Sequence, residues 1–173
     1  MFAWTEKINC FLHRIHPLQG WIKNYELTEI LFSYVDYLNE QSQKEFTKPP
    51  LIIFDIDNTL LNCVSLKKFP ILEGIDPSIT FYKYVKELGF HTVLLTARKE
   101  EKREITIKNL NRVGIQNYDL LIMRENKQDT IGKFKLKQRI QLSKKYTIIA
   151  NVGDQITDFE GGYNGKIINL PVF

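Results

Sequence analysis

Apolar side chains recur with two spacings along the chain, and each spacing predicts one kind of element. Near the amino end they recur every three or four positions, as at Leu27, Leu31 and Tyr34, which is the spacing of one helix face. After a pair of prolines, short unbroken apolar runs replace this pattern, and such runs are typical of buried parallel strands. The sequence therefore predicts one domain, with an N-terminal helical arm over residues 1–48 and a core over residues 49–173.

The apolar runs of the core alternate with helical patterns at intervals of roughly thirty residues, as βαβ units do. We therefore expect an α/β fold: a Rossmann-like parallel sheet of about five strands, with right-handed crossovers and helices on both faces. The first two strands are separated by a loop and one helix, which leaves no room for a large cap domain. The predicted strands are 51–54, 91–95, 119–123, 146–150 and 166–170, the loop is 61–77, and the predicted helices are 78–88, 100–113 and 130–143, with Ser78 as an N-cap.

Acidic and hydroxyl side chains follow the predicted strands just past their carboxyl ends. Asp55 and Asp57 follow the first strand, Thr96 follows the second, and Asp154 and Asp158 follow the fourth. The carboxyl ends of parallel strands share one edge of the sheet, where ligands bind. Residues two apart in a strand share a face, so the first two carboxylates leave on one side. An Asp followed by Asn is, taken alone, equally typical of a turn, but the later residues favour a functional site.

The grouped side chains suit a metal ion and a phosphate. Carboxylates that are forced together repel unless a cation lies between them, and oxygen ligands suit Mg²⁺. Asp55 could attack phosphorus, and Asp57 could protonate the leaving oxygen and later activate water. Thr96 and a lysine of the helix that follows the third strand, with Lys135 the best candidate, could bind the phosphoryl oxygens.

The order of these segments resembles the four motifs of the haloacid dehalogenase superfamily. The motifs are Asp55-Ile-Asp-Asn-Thr59, Leu94-Leu-Thr-Ala-Arg98, a lysine, and Gly153-Asp-Gln-Ile-Thr-Asp158. Further segments, including the terminal Leu170-Pro171, resemble its acid phosphatase branch, subfamily IIIB. That branch includes the plant vegetative storage proteins and the bacterial class C acid phosphatases.

The resemblance implies a magnesium-dependent phosphomonoester hydrolase that forms an aspartyl-phosphate. Lys133 and Lys137 compete with Lys135 on position alone, and the aromatic-Lys-x-x-x-Arg pattern from Phe134 to Arg139 favours Lys135. The resemblance implies that Asp55 is the nucleophile, that Asp57 is the acid/base, and that Thr96 and Lys135 bind the phosphate. The implied magnesium ligands are Asp55, Asp154 and the Asp57 carbonyl. Asp158 is implied to contact the metal through water or through a neighbouring ligand.

Composition and charge bear on the substrate and the location. Lys and Arg number 24 against 20 Asp and Glu, a net charge of +4. This balance suits an anionic substrate but lacks the basic stripe of a dedicated nucleic-acid binder.

The first ten residues contain no long apolar run, so we expect no signal peptide, no transmembrane segment and a cytoplasmic location. Cys10 and Cys63 are too few for a disulfide framework, and we expect Cys63, near the site, to be an inert thiol.

A phosphorylated small molecule is the expected substrate, and two alternatives stay open. An uncapped site would also admit a nucleotide or a nucleic-acid end, although no platform of aromatic and basic residues supports this. A catalytically idle binding or storage protein could use the same fold. The intact pair Asp55 and Asp57 argues against an idle protein.

Overall fold

A computed structural model describes residues 18–63, 72–125 and 129–171, to which the structural statements below refer. The first 17 residues of the predicted arm and the centre of the predicted loop, residues 64–71, lie outside this part. In chain order the elements are α1 (Leu18–Phe32), α2 (Val35–Ser42), β1 (Pro50–Phe54), β2 (Leu61–Asn62), β3 (Glu73–Gly74), α3 (Asp76–Glu87), β4 (His91–Lys99), α4 (Arg103–Arg112), β5 (Leu120–Arg124), α5 (Ile131–Lys145), β6 (Thr147–Gly153) and β7 (Lys166–Asn169).

Five strands form one sheet in the order β5-β4-β1-β6-β7. Every neighbouring pair in it is parallel, as the alternation of apolar runs and helical patterns predicts. β2 and β3 form a separate antiparallel pair inside the predicted loop. None of the described helices combines the length and the apolar character that crossing a membrane requires.

The central strand β1 shows why its sequence is apolar without alternation. Phe54 lies in the core cluster that includes Leu27 of α1 and contacts the ring of Tyr82 of α3, whereas its neighbour Ile53 lies in a second cluster with Phe134 of α5. Every β1 residue after the first is fully buried. A strand that is covered on both faces needs apolar residues at odd and even positions alike. The predicted parallel sheet with helices on both faces is confirmed.

Two predicted boundaries, the start of α3 and the end of β4, are wrong for identifiable reasons. α3 begins at Asp76, with Pro77 in its first turn, and Ile75 occupies the cap position without a side-chain cap. Proline has the backbone angle that a first helical turn needs, so the helix starts before Ser78, whose side chain is buried inside it. β4 extends beyond the predicted residue 95 because its pairing with β5 resumes at Lys99, past an irregularity.

Candidate active site

The carboxyl end of β1 presents two aspartates at the edge of the sheet. The Asp55 backbone N–H donates to Val152 O of β6 at 2.9 Å, which continues the strand pairing as far as this residue. The chain then turns through Asn58, whose φ of 56° lies in the left-handed region that Asn tolerates. Between the two aspartates, Ile56 is buried in the core. Asp55 is buried and Asp57 is half-buried, so they differ in their access to solvent.

Lys135 of α5 is the lysine that the structure brings to this edge. Its Nζ donates to Asp55 Oδ1 at 2.5 Å and also to Asp158 Oδ1. Lys135 is only 4% exposed. Lys133 and Lys137 are exposed, because residues two apart on a helix do not share a face. Burial lowers the pKa of Lys135, but the two carboxylates outweigh it and raise the pKa overall, so the ammonium stays charged.

The loop after β6 supplies two more carboxylates. Asp158 Oδ2 accepts a hydrogen bond from the Gln155 backbone N–H at 3.0 Å, so both of its oxygens bind protein donors. Asp154 Oδ2 accepts from the Gln155 side chain at 2.8 Å. Its other oxygen, Oδ1, is buried with no hydrogen-bond partner. A buried carboxylate oxygen without a donor is costly unless something else binds it.

Three of these carboxylates form a group that could hold a cation. Asp55, Asp154 and Asp158 each offer an oxygen within 4.8 Å of the others, and all three residues are buried. When all three are ionised, one lysine balances only one of the three charges. Burial, the largest cause, raises the pKa of Asp55 to about 7, with Lys135 opposing the shift, and burial also raises the pKa of Asp154. An oxygen-only donor set with excess negative charge and one open oxygen fits a divalent metal ion.

Asp57 has different partners from those three acids. Its carboxylate accepts a forked pair of hydrogen bonds from Arg98, with Nη2 at 2.7 Å and Nε at 3.0 Å from Oδ1. The Cys63 thiol donates to the same oxygen at 2.6 Å, and the Thr96 hydroxyl lies 3.5 Å from Oδ2. Burial raises the pKa of Asp57, but the hydrogen bonds and charge of Arg98 outweigh it and lower the pKa overall. The structure therefore brings all six candidate residues to one edge, with the carboxylate of Asp57 outside the cluster of three.

Sequence reasoning assigned no role to two arginines that shape the site. Arg98 lies two residues after Thr96, and the rule that such residues share a strand face would have found it. Arg139, fully buried, donates to Asp158 O at 2.6 Å, to Gly162 O at 3.0 Å and to Glu160 O. It lies four residues after Lys135, which places both on one face of α5. Arg139 thus fixes the loop that carries the acids.

Fold and site together define a protein of the haloacid dehalogenase (HAD) type. The chain belongs to HAD subfamily IIIB, the acid phosphatases, whose family model matches residues 19–172. This match confirms the resemblance that the four motifs indicate.

Among the relatives, vegetative storage protein 1 of Arabidopsis thaliana is 28% identical over 141 residues, 69% of this chain and 52% of its own length. Acid phosphatase 1 of Solanum lycopersicum is 30% identical over 131 residues, 63% of this chain and 51% of its own. The chain therefore spans about half the length of the curated relatives it matches.

A solved structure has the same fold. The class C acid phosphatase from Bacillus anthracis superposes with a TM-score of 0.66 at 22% identity. The match covers 88% of this chain and 83% of that one.

Proposed function

We propose that this chain is a magnesium-dependent phosphomonoester hydrolase that works through an aspartyl-phosphate on Asp55. The observation that carries the proposal is the buried group of Asp55, Asp154 and Asp158 around Lys135, in which one Asp154 oxygen has no protein partner. A site of this charge and donor type suits a phosphate together with a divalent cation. Membership of an acid phosphatase family supports the same reaction.

The proposed reaction has two steps, both at phosphorus. A carboxylate oxygen of Asp55 attacks the phosphorus while Asp57 gives a proton to the leaving oxygen, so the alcohol departs neutral. Asp57, now ionised, takes a proton from a water molecule that attacks the phospho-aspartate, and this releases phosphate and restores Asp55. Thr96 and Lys135 bind the phosphoryl oxygens throughout and stabilise the charge that develops on them.

The metal site we propose uses Asp55, Asp154 and the Asp57 carbonyl. Bound Mg²⁺ would neutralise the phosphoryl charge and the excess negative charge of the buried acids. Asp158 already has a donor on each oxygen, Lys135 and the Gln155 amide. We therefore propose that Asp158 orients Lys135 and would contact a bound ion only through water.

The proposed substrate class is a small phosphomonoester such as a nucleotide or a sugar phosphate. The chain between β1 and β4 is too short for a cap domain, so we propose a site that no cap domain covers. A terminal phosphate on a nucleic acid is the alternative substrate. An idle storage or binding role is the alternative from another class, and the similarity to vegetative storage protein 1 is the reason to test it.

The decisive experiment compares the wild-type protein with the Asp55→Asn variant on p-nitrophenyl phosphate, with MgCl₂ and with EDTA. We expect hydrolysis only by the wild type with magnesium, because the amide cannot act as the nucleophile. Beryllofluoride should bind stoichiometrically at Asp55 in the presence of magnesium and should not bind the variant. Equal activity of the two proteins would remove the proposed nucleophile.

A substrate panel separates the alternatives. It should contain nucleotides, sugar phosphates, and oligonucleotides with a 5′- or 3′-phosphate. Preference for the oligonucleotides would favour a nucleic-acid end phosphatase. A folded wild-type protein that binds magnesium but hydrolyses none of the panel would favour the idle role.

A further inference from the structure

The carboxylate of Asp57 is held unequally at its two oxygens. Oδ1 lies 2.7 Å from Arg98 Nη2, 3.0 Å from Arg98 Nε and 2.6 Å from the Cys63 thiol. Oδ2 lies 3.0 Å from Arg98 Nε and 3.5 Å from the Thr96 hydroxyl, a distance at the limit of a hydrogen bond. Arg98 Nε is equally close to both oxygens, but Oδ1 has two further close donors, whereas the other contact of Oδ2 is the distant Thr96 hydroxyl that we propose binds phosphate.

The guanidinium that anchors Asp57 is itself fixed in place. Its Nη1 donates to the hydroxyl of Thr106 on α4 at 3.1 Å, and Thr106 is fully buried. The Arg98 backbone N–H donates to the Thr96 hydroxyl at 3.1 Å. The Arg98 side chain is 11% exposed, so solvent competes little for its donors. The guanidinium is planar, so the contact of Nη1 with Thr106 also fixes the direction in which Nε and Nη2 donate.

We propose that Arg98, held by Thr106, is a positioning residue that anchors Oδ1 of Asp57 and leaves Oδ2 as the oxygen that transfers the proton. The inference rests on the proposed function and adds to it how the acid/base is oriented. The Cys63 thiol, as a second donor to Oδ1, strengthens the same asymmetry.

The step that depends on this orientation is the departure of the leaving group. Asp57 is ionised when it accepts from Arg98 and Cys63, so it must first take up a proton from solvent on Oδ2. As the bond from phosphorus to the ester oxygen breaks and the bond from Asp55 forms, that proton passes to the ester oxygen. An alkyl phosphate needs this proton because an alkoxide is a poor leaving group. A nitrophenyl phosphate needs it little because the phenolate is stable. An acid that is wrongly aimed should therefore harm alkyl phosphates far more than aryl phosphates.

The experiment measures kcat/KM for an alkyl phosphate, β-glycerol phosphate, and for p-nitrophenyl phosphate. The value of kcat/KM reports the steps up to the first irreversible one, so it includes the departure of the leaving group. For Arg98→Lys, which keeps the charge and loses the fork, we expect kcat/KM to fall about 100-fold on the alkyl phosphate and by less than about tenfold on the aryl phosphate. Because a merely structural role would lower both values equally, the ratio of the two is the test.

If Arg98→Lys folds poorly, two variants at Thr106 and a control variant at Arg103 still test the proposal. Thr106→Val removes the anchor without touching Asp57, and it should lower the alkyl-to-aryl ratio about tenfold. Thr106→Ser keeps the hydroxyl and should restore the wild-type ratio. Arg103→Lys is the matched control, because Arg103 makes a similar fork with Glu100 away from the site, and its ratio should stay within about twofold of the wild type.

The outcomes separate this inference from the proposed function. A wild-type alkyl-to-aryl ratio in both Arg98→Lys and Thr106→Val would overturn the positioning role and leave the hydrolase intact. A wild-type protein that hydrolyses neither substrate would overturn the proposed function, and the inference with it.

Discussion

At the residue scale, the site is governed by the burial of more negative than positive charge. Lys135 pairs with Asp55 and Asp158 in a region that almost excludes solvent. A buried pair adds little net stability, but removing one partner leaves the other charge uncompensated, which costs far more. The lysine should therefore matter for folding as well as for the proposed phosphate binding.

We predict that Lys135→Met lowers the free energy of unfolding in EDTA by about 3 kcal/mol, because two buried carboxylates lose their counter-charge. Urea unfolding at neutral pH measures this. The control is Lys133→Met, two residues away and exposed, which should change it by less than about 0.5 kcal/mol. Equal losses in the two variants would contradict the charge argument.

At the element scale, the loop after β6 requires a residue without a side chain, Gly153, at the end of the strand. A Cβ at Gly153 would lie 2.3 Å from Asp158 Oδ2, where real Cβ contacts do not occur. The carboxylate is held there by the Gln155 amide and by Lys135, so it cannot move aside without losing both.

We predict that Gly153→Ala destabilises the protein by about 1–3 kcal/mol, the usual cost of overpacking, and weakens catalysis as well. Thermal unfolding and phosphatase assays measure the two effects. Gly132→Ala is the control, since its Cβ would meet only the end of the flexible, exposed Glu160 side chain. Because alanine favours a helix, that variant should be neutral or slightly stabilising.

The opposite edge of the sheet has a carboxylate that joins the starts of β4 and β5. Asp119 accepts a hydrogen bond from the Thr92 backbone N–H at 2.8 Å, and its oxygens lie 2.6 Å from His91 Nδ1 and 3.3 Å from Lys86 Nζ. Burial raises the pKa of Asp119, but these partners outweigh it and lower the pKa overall. A carboxyl group with a depressed pKa stabilises the fold above its unfolded value, about 3.9, and loses this effect as the pH falls through the folded value.

We therefore predict that Asp119→Asn is about 1 kcal/mol less stable than the wild type at pH 7, and that the difference shrinks as the pH falls below about 4. Denaturant unfolding across pH measures it. Glu101→Gln removes only an exposed partner of Lys99 and should show no such trend. A constant difference for Asp119→Asn at all pH values would show that the charge is not responsible.

At the scale of the whole molecule, a cation that binds only the folded chain must stabilise it. The acids that would bind it come from β1 and from the loop after β6, so binding would join the two adjacent strands at the site. At a magnesium concentration 100 times the dissociation constant, the stabilisation would be about 2.7 kcal/mol.

We predict that MgCl₂ raises the melting temperature of the wild type and of Asp119→Asn, but much less that of Asp154→Asn, whose change affects the unpartnered oxygen. Differential scanning fluorimetry with and without EDTA measures this, independently of catalysis. A wild-type protein that shows no shift would argue against the proposed metal site.

Much of this molecule follows from the order of residues along the chain. An unbroken apolar run is the pattern of a strand covered on both faces, and residues two apart share a face. For these reasons β1 and its two aspartates could be located in advance. The same reasoning predicted the parallel sheet and the edge at which Thr96, Asp154 and Asp158 assemble. The aromatic-Lys-x-x-x-Arg pattern selected Lys135 among three lysines. Helical spacing explains why the other two lie on different faces.

What the linear pattern left open were contacts between elements that are far apart in the chain. The fork from Arg98 to Asp57 joins residues 41 positions apart, and the bond from Lys135 to Asp55 joins residues 80 positions apart. The two boundary errors have different origins: the start of α3 was set locally by Pro77, whereas the end of β4 was set by its pairing with β5. Residue types and periodicity specify which elements form and which edge collects the acids. The partner and the free oxygen of each acid arise only when the packed elements fix the side chains against one another.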